Sequence, residues 1–237
     1  MKEREAGIVR LKPTLWNSRY YYLRQLAKEI TKIIDRNIKP LGKVAQIADF
    51  GCGNSPYKEL FLPFCEKYIG IDLPENPRAD IHISPEGKIN LPDNSVQVVL
   101  STQVLEHVPN PVLYLQEAYR ILEKNGWLLL TTHGYWMFHP DPTDFWRWTS
   151  MGLRKIIQQA GFEIVDFKGI VGRSAIGMQI VQDGLQFKLP KFLRPFLTIP
   201  MQLLIFFIRP NPLSKCTKSR CRKFCSVSKE NLMLNKK

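Results

Sequence analysis

The run Ile47-Ala-Asp-Phe-Gly-Cys-Gly53 holds the residues whose types and spacing most directly imply chemistry. An apolar stretch ends in Asp49 and then in Gly51-x-Gly53, the pattern of a strand turning sharply beneath a nucleoside-bearing ligand. Glycine at these positions permits positive φ and, lacking Cβ, lets the backbone approach a ligand closely. A second apolar run, Lys67 to Asp72, ends in an acid 23 positions after Asp49. Such an acid at the tip of a second strand can accept both ribose hydroxyls of an adenosyl group. A dinucleotide fingerprint would carry a third glycine three positions after Gly53, where this chain has Pro56. An acid at position 49 also suits a ligand with a cationic amino-acid end better than a pyrophosphate. A nicotinamide-dependent oxidoreductase is disfavoured on both counts.

Two further segments hold groups able to move a proton. Gln103-Val-Leu-Glu-His-Val108 contains Glu106 and His107, and the stretch from His133 to Thr149 contains His133, His139, Asp141, Asp144, Arg147 and several aromatics. Histidine, with an ordinary pKa of about 6.5, suits a base at neutral pH. His107 and His133 lie just past strand ends and are the candidate bases, with Asp144 as the alternative catalytic group. His139, Trp146 and Arg147 are expected on the substrate, because aromatic faces with polar neighbours suit a sugar ring or planar acceptor and a guanidinium can clamp a carboxylate or phosphate. The purely structural alternative has His107 and Glu106 fixing their loop, Trp146 and Trp148 anchoring the other, and Arg147 paired with Asp144.

On these residues the chain resembles the class I S-adenosylmethionine (SAM)-dependent methyltransferases, whose first motif ends in D/E-x-G-x-G and whose second ends in an acid. The resemblance runs from about Leu41 to Gly172. It includes Leu91-Pro-Asp-Asn-Ser95 leading into the strand Val96 to Leu100, the segment 103–108, and Leu122-Glu-Lys-Asn-Gly-Trp127 leading into Leu128 to Thr132. It implies SAM as cofactor, held by Asp49, Gly51, Cys52, Gly53, Asp72, Leu73, Ser101 and Gln103. Methyl transfer is an in-line displacement that needs alignment, needs a base only where the acceptor loses a proton, and needs no metal. Two departures stand out: Gln97 replaces the usual acid, and residues 84–90 do not align, leaving the adenine contacts unassigned. The segment from His139 to Thr149 is also similar to one in methyltransferases of bacterial surface-glycan pathways. That similarity implies a small or lipid-linked acceptor such as a sugar hydroxyl or carboxyl of a glycan precursor. The alternative is a non-catalytic SAM-binding or membrane-attached interaction protein, to which Gln97 and an irregular tail point.

The elements that must position these residues follow from periodicity. Apolar residues at helical spacing between 15 and 38 predict a packing helix ahead of the sheet, ending at Lys39-Pro40. Asn110-Pro111 starts a helix over Val112 to Glu123 that Asn125-Gly126 stops, and Thr149 or Ser150 caps another running to Gly161. Phe162 to Ile170 alternates like a strand. The expected fold is α/β and Rossmann-like: a mainly parallel sheet with helices on both faces, plus a C-terminal helical and basic tail. Residues 1–40 form the N-terminal helix region, 41–172 the SAM-binding core, and 173–237 an apolar and basic appendage. The closing antiparallel strand of the family is not obvious in Asn231 to Lys237; either Lys223 to Ser228 supplies it or the chain lacks it.

Charge is lopsided. Residues 1–182 carry 22 Lys and Arg against 19 Asp and Glu, whereas residues 183–237 carry 12 against 2. A nucleic-acid enzyme spreads its basic residues around the cleft, so nucleic acid is not the expected partner and the tail is assigned a surface task. Phe192 to Ile208 is strongly apolar but interrupted by Arg194, Pro195 and Pro200, and its charge-free part is too short for a bilayer span. It is expected either to pack on the sheet or to lie in the interface of an anionic membrane. The N-terminus has charges and no apolar signal region. Five cysteines in no framework fit reduced thiols, and Cys216, Cys221 and Cys225 match no common zinc spacing. A cytoplasmic enzyme, peripheral at the inner face of the membrane in the interfacial case, is the resulting expectation.

Overall fold

The computed structural model describes residues 7–208 and 230–236. Seven strands form one sheet: β1 (Val44–Phe50), β2 (Cys65–Asp72), β3 (Ile81–His82), β4 (Val96–Thr102), β5 (Leu122–Thr132), β6 (Phe162–Gly169) and β7 (Glu230–Lys236). Their spatial order is β3-β2-β1-β4-β5-β7-β6. All pairs are parallel except that β7 runs antiparallel to both β5 and β6. The helices are α1 (Gly7–Leu11), α2 (Tyr20–Ile33), α3 (Lys58–Phe61), α4 (Pro111–Ile121), α5 (Ser150–Gln159), α6 (Arg173–Lys188) and α7 (Arg194–Ile208). The expected doubly covered, mainly parallel sheet is what forms.

The central strands are apolar on both faces because both are covered. Val44, Ile47, Val98, Leu100 and Leu129 pack with Leu26, Ile30, Ile176 and Ile205 from α2, α6 and α7. Their neighbours Ala48, Phe50, Val99, Leu128 and Leu130 pack with Leu115, Ala118, Leu153 and Ile157 from α4 and α5. The appendage after residue 172 thus shares a core with the N-terminal helix. Local signals set the helix starts. Asn110 Oδ1 accepts from Leu113 N at 3.2 Å with Pro111 next in the chain, and Thr149 Oγ1 accepts from Gly152 N at 3.1 Å.

Several boundaries differ from the sequence expectation. Leu15 lies outside the first long helix, which begins at Tyr20 and widens into a looser turn over Ile34–Ile38. Helix α4 ends at Ile121, and Leu122 already pairs with Val96. Asn125-Gly126 therefore makes a kink within β5, where Asn125 has φ 64° and the register shifts, rather than a helix stop. The closing strand is β7 at Glu230–Lys236, the segment in which sequence showed none. The short alternating signal there is weak because Met233 and Leu234, adjacent in sequence, are both buried in a sheet covered on two faces. Lys236 fixes the register: its Nζ donates to Tyr119 O at 2.8 Å and Leu122 O at 2.7 Å, the carbonyls at the end of α4. Residues 223–228 and Cys216, Cys221 and Cys225 lie outside the described residues; Cys52 and Cys65 are buried free thiols.

Gln97 has a structural explanation. It sits near the start of β4, accepts from Gln46 N at 2.8 Å and donates to Glu123. It braces β4 against β1 and β5 at the end of the strand opposite the turn at Gly51.

Candidate active site

The strand order reverses between β1 and β4, and the crevice beyond their carboxyl ends is where such a sheet binds ligands. A cavity of about 730 Å³ opens there, lined on one side by Phe50 to Asn54, Asp72 and Leu73 and on the other by Gln103, His107, His133 and His139. That volume suits a cofactor with an acceptor.

The nucleoside half is built by the glycine turn. Gly51 has φ 83° and Gly53 φ 53°. A Cβ on Gly51 would lie 2.4 Å from Val104 Cγ2, so glycine is demanded by the loop after β4 as well as by any ligand. Gly51 N and Cys52 N donate to Ile71 O, at 2.8 and 3.0 Å, which pins the turn to β2. Asp72 accepts from Gly53 N at 2.8 Å, Asn76 Nδ2 at 2.7 Å and its neighbour Leu73 N at 2.9 Å. Four lone-pair sites on a carboxylate leave room for a ribose hydroxyl. Asp49 is buried behind the turn and is not part of the cavity wall. Burial pushes its carboxyl up to about 7 against the pull of the Tyr68 hydroxyl, which donates to Oδ2 at 2.6 Å. Burial, with Asp49 and Asp72 beside it, pushes the Cys52 thiol up to about 12, so it packs as an inert thiol. Ile83 to Gly87 line the cavity beyond Leu73 and so bring the first part of the unaligned stretch 84–90 to the site.

The other half is made by two loops laced together. Phe145 N and Trp146 N donate to Glu106 O at 2.9 and 3.1 Å, Trp146 Nε1 to Val108 O at 2.8 Å, and Thr143 Oγ1 to His107 O at 3.0 Å. His107 Nδ1 in turn meets Thr143 O. Trp148 N closes the second loop on His133 O at 3.0 Å. At its centre the fully buried Glu106 places Oε1 3.0 Å from His133 Nε2 and accepts from Thr132 Oγ1 on Oε2 at 2.7 Å. Burial alone would raise the Glu106 carboxyl, but the charge and hydrogen bond of His133, with His107 and Thr132, hold it down at about 2. The His133 ring stacks on Trp136 at 5.4 Å, and His139 stands edge-on 4.9 Å from both His133 and His107. Burial and His107 keep the His139 imidazole below its ordinary value.

The structure brings His107, His133 and His139 to one cavity wall but not Asp144, Arg147, Trp146 or Ser101. The Asp144 side chain is buried and taken up by Arg147, Nη1 to Oδ1 at 2.5 Å and Nη2 to Oδ2 at 2.6 Å, and by His139 N at 2.8 Å. This pairing holds Asp144 down at about 2 in spite of its burial. Arg147 also donates to Trp136 O and Met137 O, at 2.8 and 2.6 Å. The expected catalytic acid and substrate clamp are therefore loop-shaping residues, and Trp146 is an anchor. Ser101 is buried behind the cavity wall, its hydroxyl 2.8 Å from that of Tyr114, which does line the cavity. Sequence reasoning treated Glu106 as a loop residue only, since nothing local ties it to His133 27 positions later. Among the described residues, Glu106, His133 and His139 bring ligand-type atoms within 4.8 Å of one another. That donor set would accept a divalent cation, a geometry the metal-free sequence expectation did not anticipate.

The residues fit an adenosyl ligand: Asp72 lines the cavity, and Gln103 Oε1 is a buried acceptor on its wall with no hydrogen-bond partner among the described residues. Fold and site together define a class I SAM-dependent methyltransferase architecture. The chain belongs to the family described as Methyltransferase domain, whose model matches residues 22–166. A Mycolicibacterium smegmatis protein named "Probable S-adenosylmethionine-dependent methyltransferase" is 28% identical over 139 residues, covering 52% of this chain and 54% of that one. The chain thus spans about half the length of the curated relatives it matches first. A "Ubiquinone biosynthesis O-methyltransferase" of Dinoroseobacter shibae is 28% identical over 183 residues, covering 64% of this chain and 72% of that one. Among solved structures, phosphoethanolamine N-methyltransferase 2 of Haemonchus contortus, in complex with SAM, gives a TM-score of 0.56 at 14% identity, covering 99% of this chain and 61% of that one. The [4+2]-cyclase SpnF gives 0.57 at 16% identity, covering 90% and 82%. At such identities the structural likeness speaks for the fold alone. The first of these curated relatives are named SAM-dependent methyltransferases, and the cavity is large enough for that cofactor.

Proposed function

We propose that the chain is a methyltransferase that passes the methyl group of SAM to an oxygen of a small or lipid-linked acceptor, a sugar hydroxyl or carboxyl of a glycan precursor. One observation carries the proposal: His133, just past the carboxyl end of β5 on the same cavity as the glycine turn, is backed by the buried Glu106 from the loop after β4. SAM, when bound, supplies a methyl group activated on a sulfonium. Gly51, Gly53 and Asp72 hold the adenosyl end. His133 takes the proton of a hydroxyl acceptor, and Glu106 behind it fixes the ring and stabilises the imidazolium that forms. Trp136, stacked on His133 and covered by the Arg19 guanidinium at 4.7 Å, keeps water from that side of the ring. A carboxylate acceptor would need no base, and then the same cations and aromatics would only position it.

The relative named as an O-methyltransferase supports an oxygen acceptor. A non-catalytic SAM-binding role loses one of its two sequence hints, because Gln97 braces the sheet at the strand end opposite the glycine turn. The fold alone does not fix the reaction, so turnover is the test. Incubation with SAM and a panel of sugar hydroxyl, sugar acid and phenolic acceptors should yield S-adenosylhomocysteine with at least one. His133→Gln should then lower kcat on the order of 10²-fold, flatten the acid limb of the pH-rate profile and leave SAM affinity unchanged. An unchanged rate and limb would remove His133 as the base.

A further inference from the structure

Helix α7 has its polarity inside out. Its buried residues are Thr198, Gln202 and Ile205. Gln202 accepts from Tyr21 N at 2.9 Å and donates to Ser18 O at 2.9 Å and Gln182 Oε1 at 2.8 Å. Thr198 accepts from Gln186 Nε2 at 2.5 Å. The opposite stripe, at the spacing of one helix face, is Phe196, Pro200, Leu203, Leu204 and Phe207, with Phe196 78% and Phe207 77% exposed. A surface helix in water turns its apolar stripe to the core and its polar residues outward. Here the reverse arrangement is held by named hydrogen bonds, and Phe187 and Phe192 extend the apolar face beside it.

Counted from Lys191, the helical stretch to Ile208 is long and apolar enough to cross a bilayer, whereas the sequence expectation counted only its charge-free part and found it too short; just 17% of it is buried. The hydrogen bonds of Thr198 and Gln202 tie one side of α7 to α2 and α6, so the helix can sink only its outer half. Charge indicates what covers it. Lys188, Lys191 and Arg194 stand at its start, and positions 209–229 hold seven Lys and Arg and no acid. A second copy would set these cations against one another, whereas anionic headgroups neutralise them.

We propose that α7 is a monotopic docking helix: its Phe196 to Phe207 stripe enters the interface of an anionic bilayer while the flanking cations engage the headgroups. The neighbouring helix α2 supplies Tyr22, Leu23 and Leu26 to the cavity wall, with Arg19 just before its start, so the docked face is one helix away from the cavity. This inference does not depend on the methyl-transfer reading.

The test is co-sedimentation of the full chain with vesicles of phosphatidylcholine alone or with about one third phosphatidylglycerol, at about 0.1 and 1 M salt, where the Debye length falls from ~10 to ~3 Å. SAM affinity is measured in parallel. The wild type should pellet with the anionic vesicles, less at high salt. Phe196→Glu with Phe207→Glu should reduce partitioning about tenfold or more without changing SAM affinity. Should that variant misfold by circular dichroism, Lys215→Gln, Lys218→Gln and Arg220→Gln together should still halve partitioning at low salt only. Wild type that stays in the supernatant, equal binding to neutral and anionic vesicles, or variants that pellet like wild type would each overturn the proposal. A wild-type dimer in sedimentation velocity that Phe207→Glu converts to monomer would assign the face to a second copy instead.

Discussion

Replacing Glu106 by Gln keeps the shape of the side chain and removes its charge. The wild-type carboxyl is held at about 2 in the folded chain against an ordinary value of 4.5. Each unit is worth about 1.4 kcal/mol, so the ionised group contributes on the order of 3 kcal/mol of stability when His133 is charged opposite it. Because the folded pKa is depressed, that stability is present above the ordinary carboxylate range and is lost as pH falls through the folded value of about 2. Glutamine resembles the protonated acid. The variant should therefore be about 3 kcal/mol less stable near pH 6, with the gap narrowing below about pH 4.5 and closing near pH 2. Urea unfolding of both proteins across that range measures it. A gap that stays constant with pH, or no gap near pH 6, would refute the ion pair. The substitution should also lower kcat on an accepted substrate about ten- to hundredfold with SAM affinity retained, since Glu106 acts through His133 and does not line the cavity.

Asp72→Ala should weaken SAM binding by roughly 1.5 to 3 kcal/mol in calorimetry, the range for a charge-assisted hydrogen bond; unchanged affinity would show that Asp72 serves only Gly53 and Asn76. Gly51→Ala should destabilise the fold by at least ~2 kcal/mol, from positive φ and from the contact with Val104. Adding Val104→Ala should recover part of that loss, and a strictly additive double mutant would refute the contact. Arg147→Lys should raise KM for the acceptor more than it lowers kcat, because the planar fork on Asp144 and the carbonyls of Trp136 and Met137 shapes the loop; an equal fall in kcat with constant KM would return Arg147 to the reacting centre.

The glycine turn, the acid at Asp72, the strand Val44–Phe50 and the helix starts at Asn110 and Thr149 were legible in the amino-acid sequence. Each rests on a local rule: a backbone conformation only glycine takes easily, an oxygen that caps the N–H groups next to it, or a period of two or 3.6 residues. Gly51, Gly53 and Asp72 reach the cavity for the same reason, each following a strand end within one motif, whereas Asp49 and Ser101, expected beside them, are not on its wall. Tertiary packing decided the rest. Whether a histidine is a base depends on what stands behind it, and Glu106 reaches His133 only because β4 and β5 are parallel neighbours. Asp144 and Arg147 look equally suited to substrate or to each other until the loop closes and buries the carboxylate. Glu230–Lys236 becomes a strand because β5 and β6 leave a slot between them that it fills on both edges. The outward phenylalanines of α7 were visible as an apolar run, but which side faced out was settled by Gln202 finding Tyr21 and Ser18 some 180 residues away.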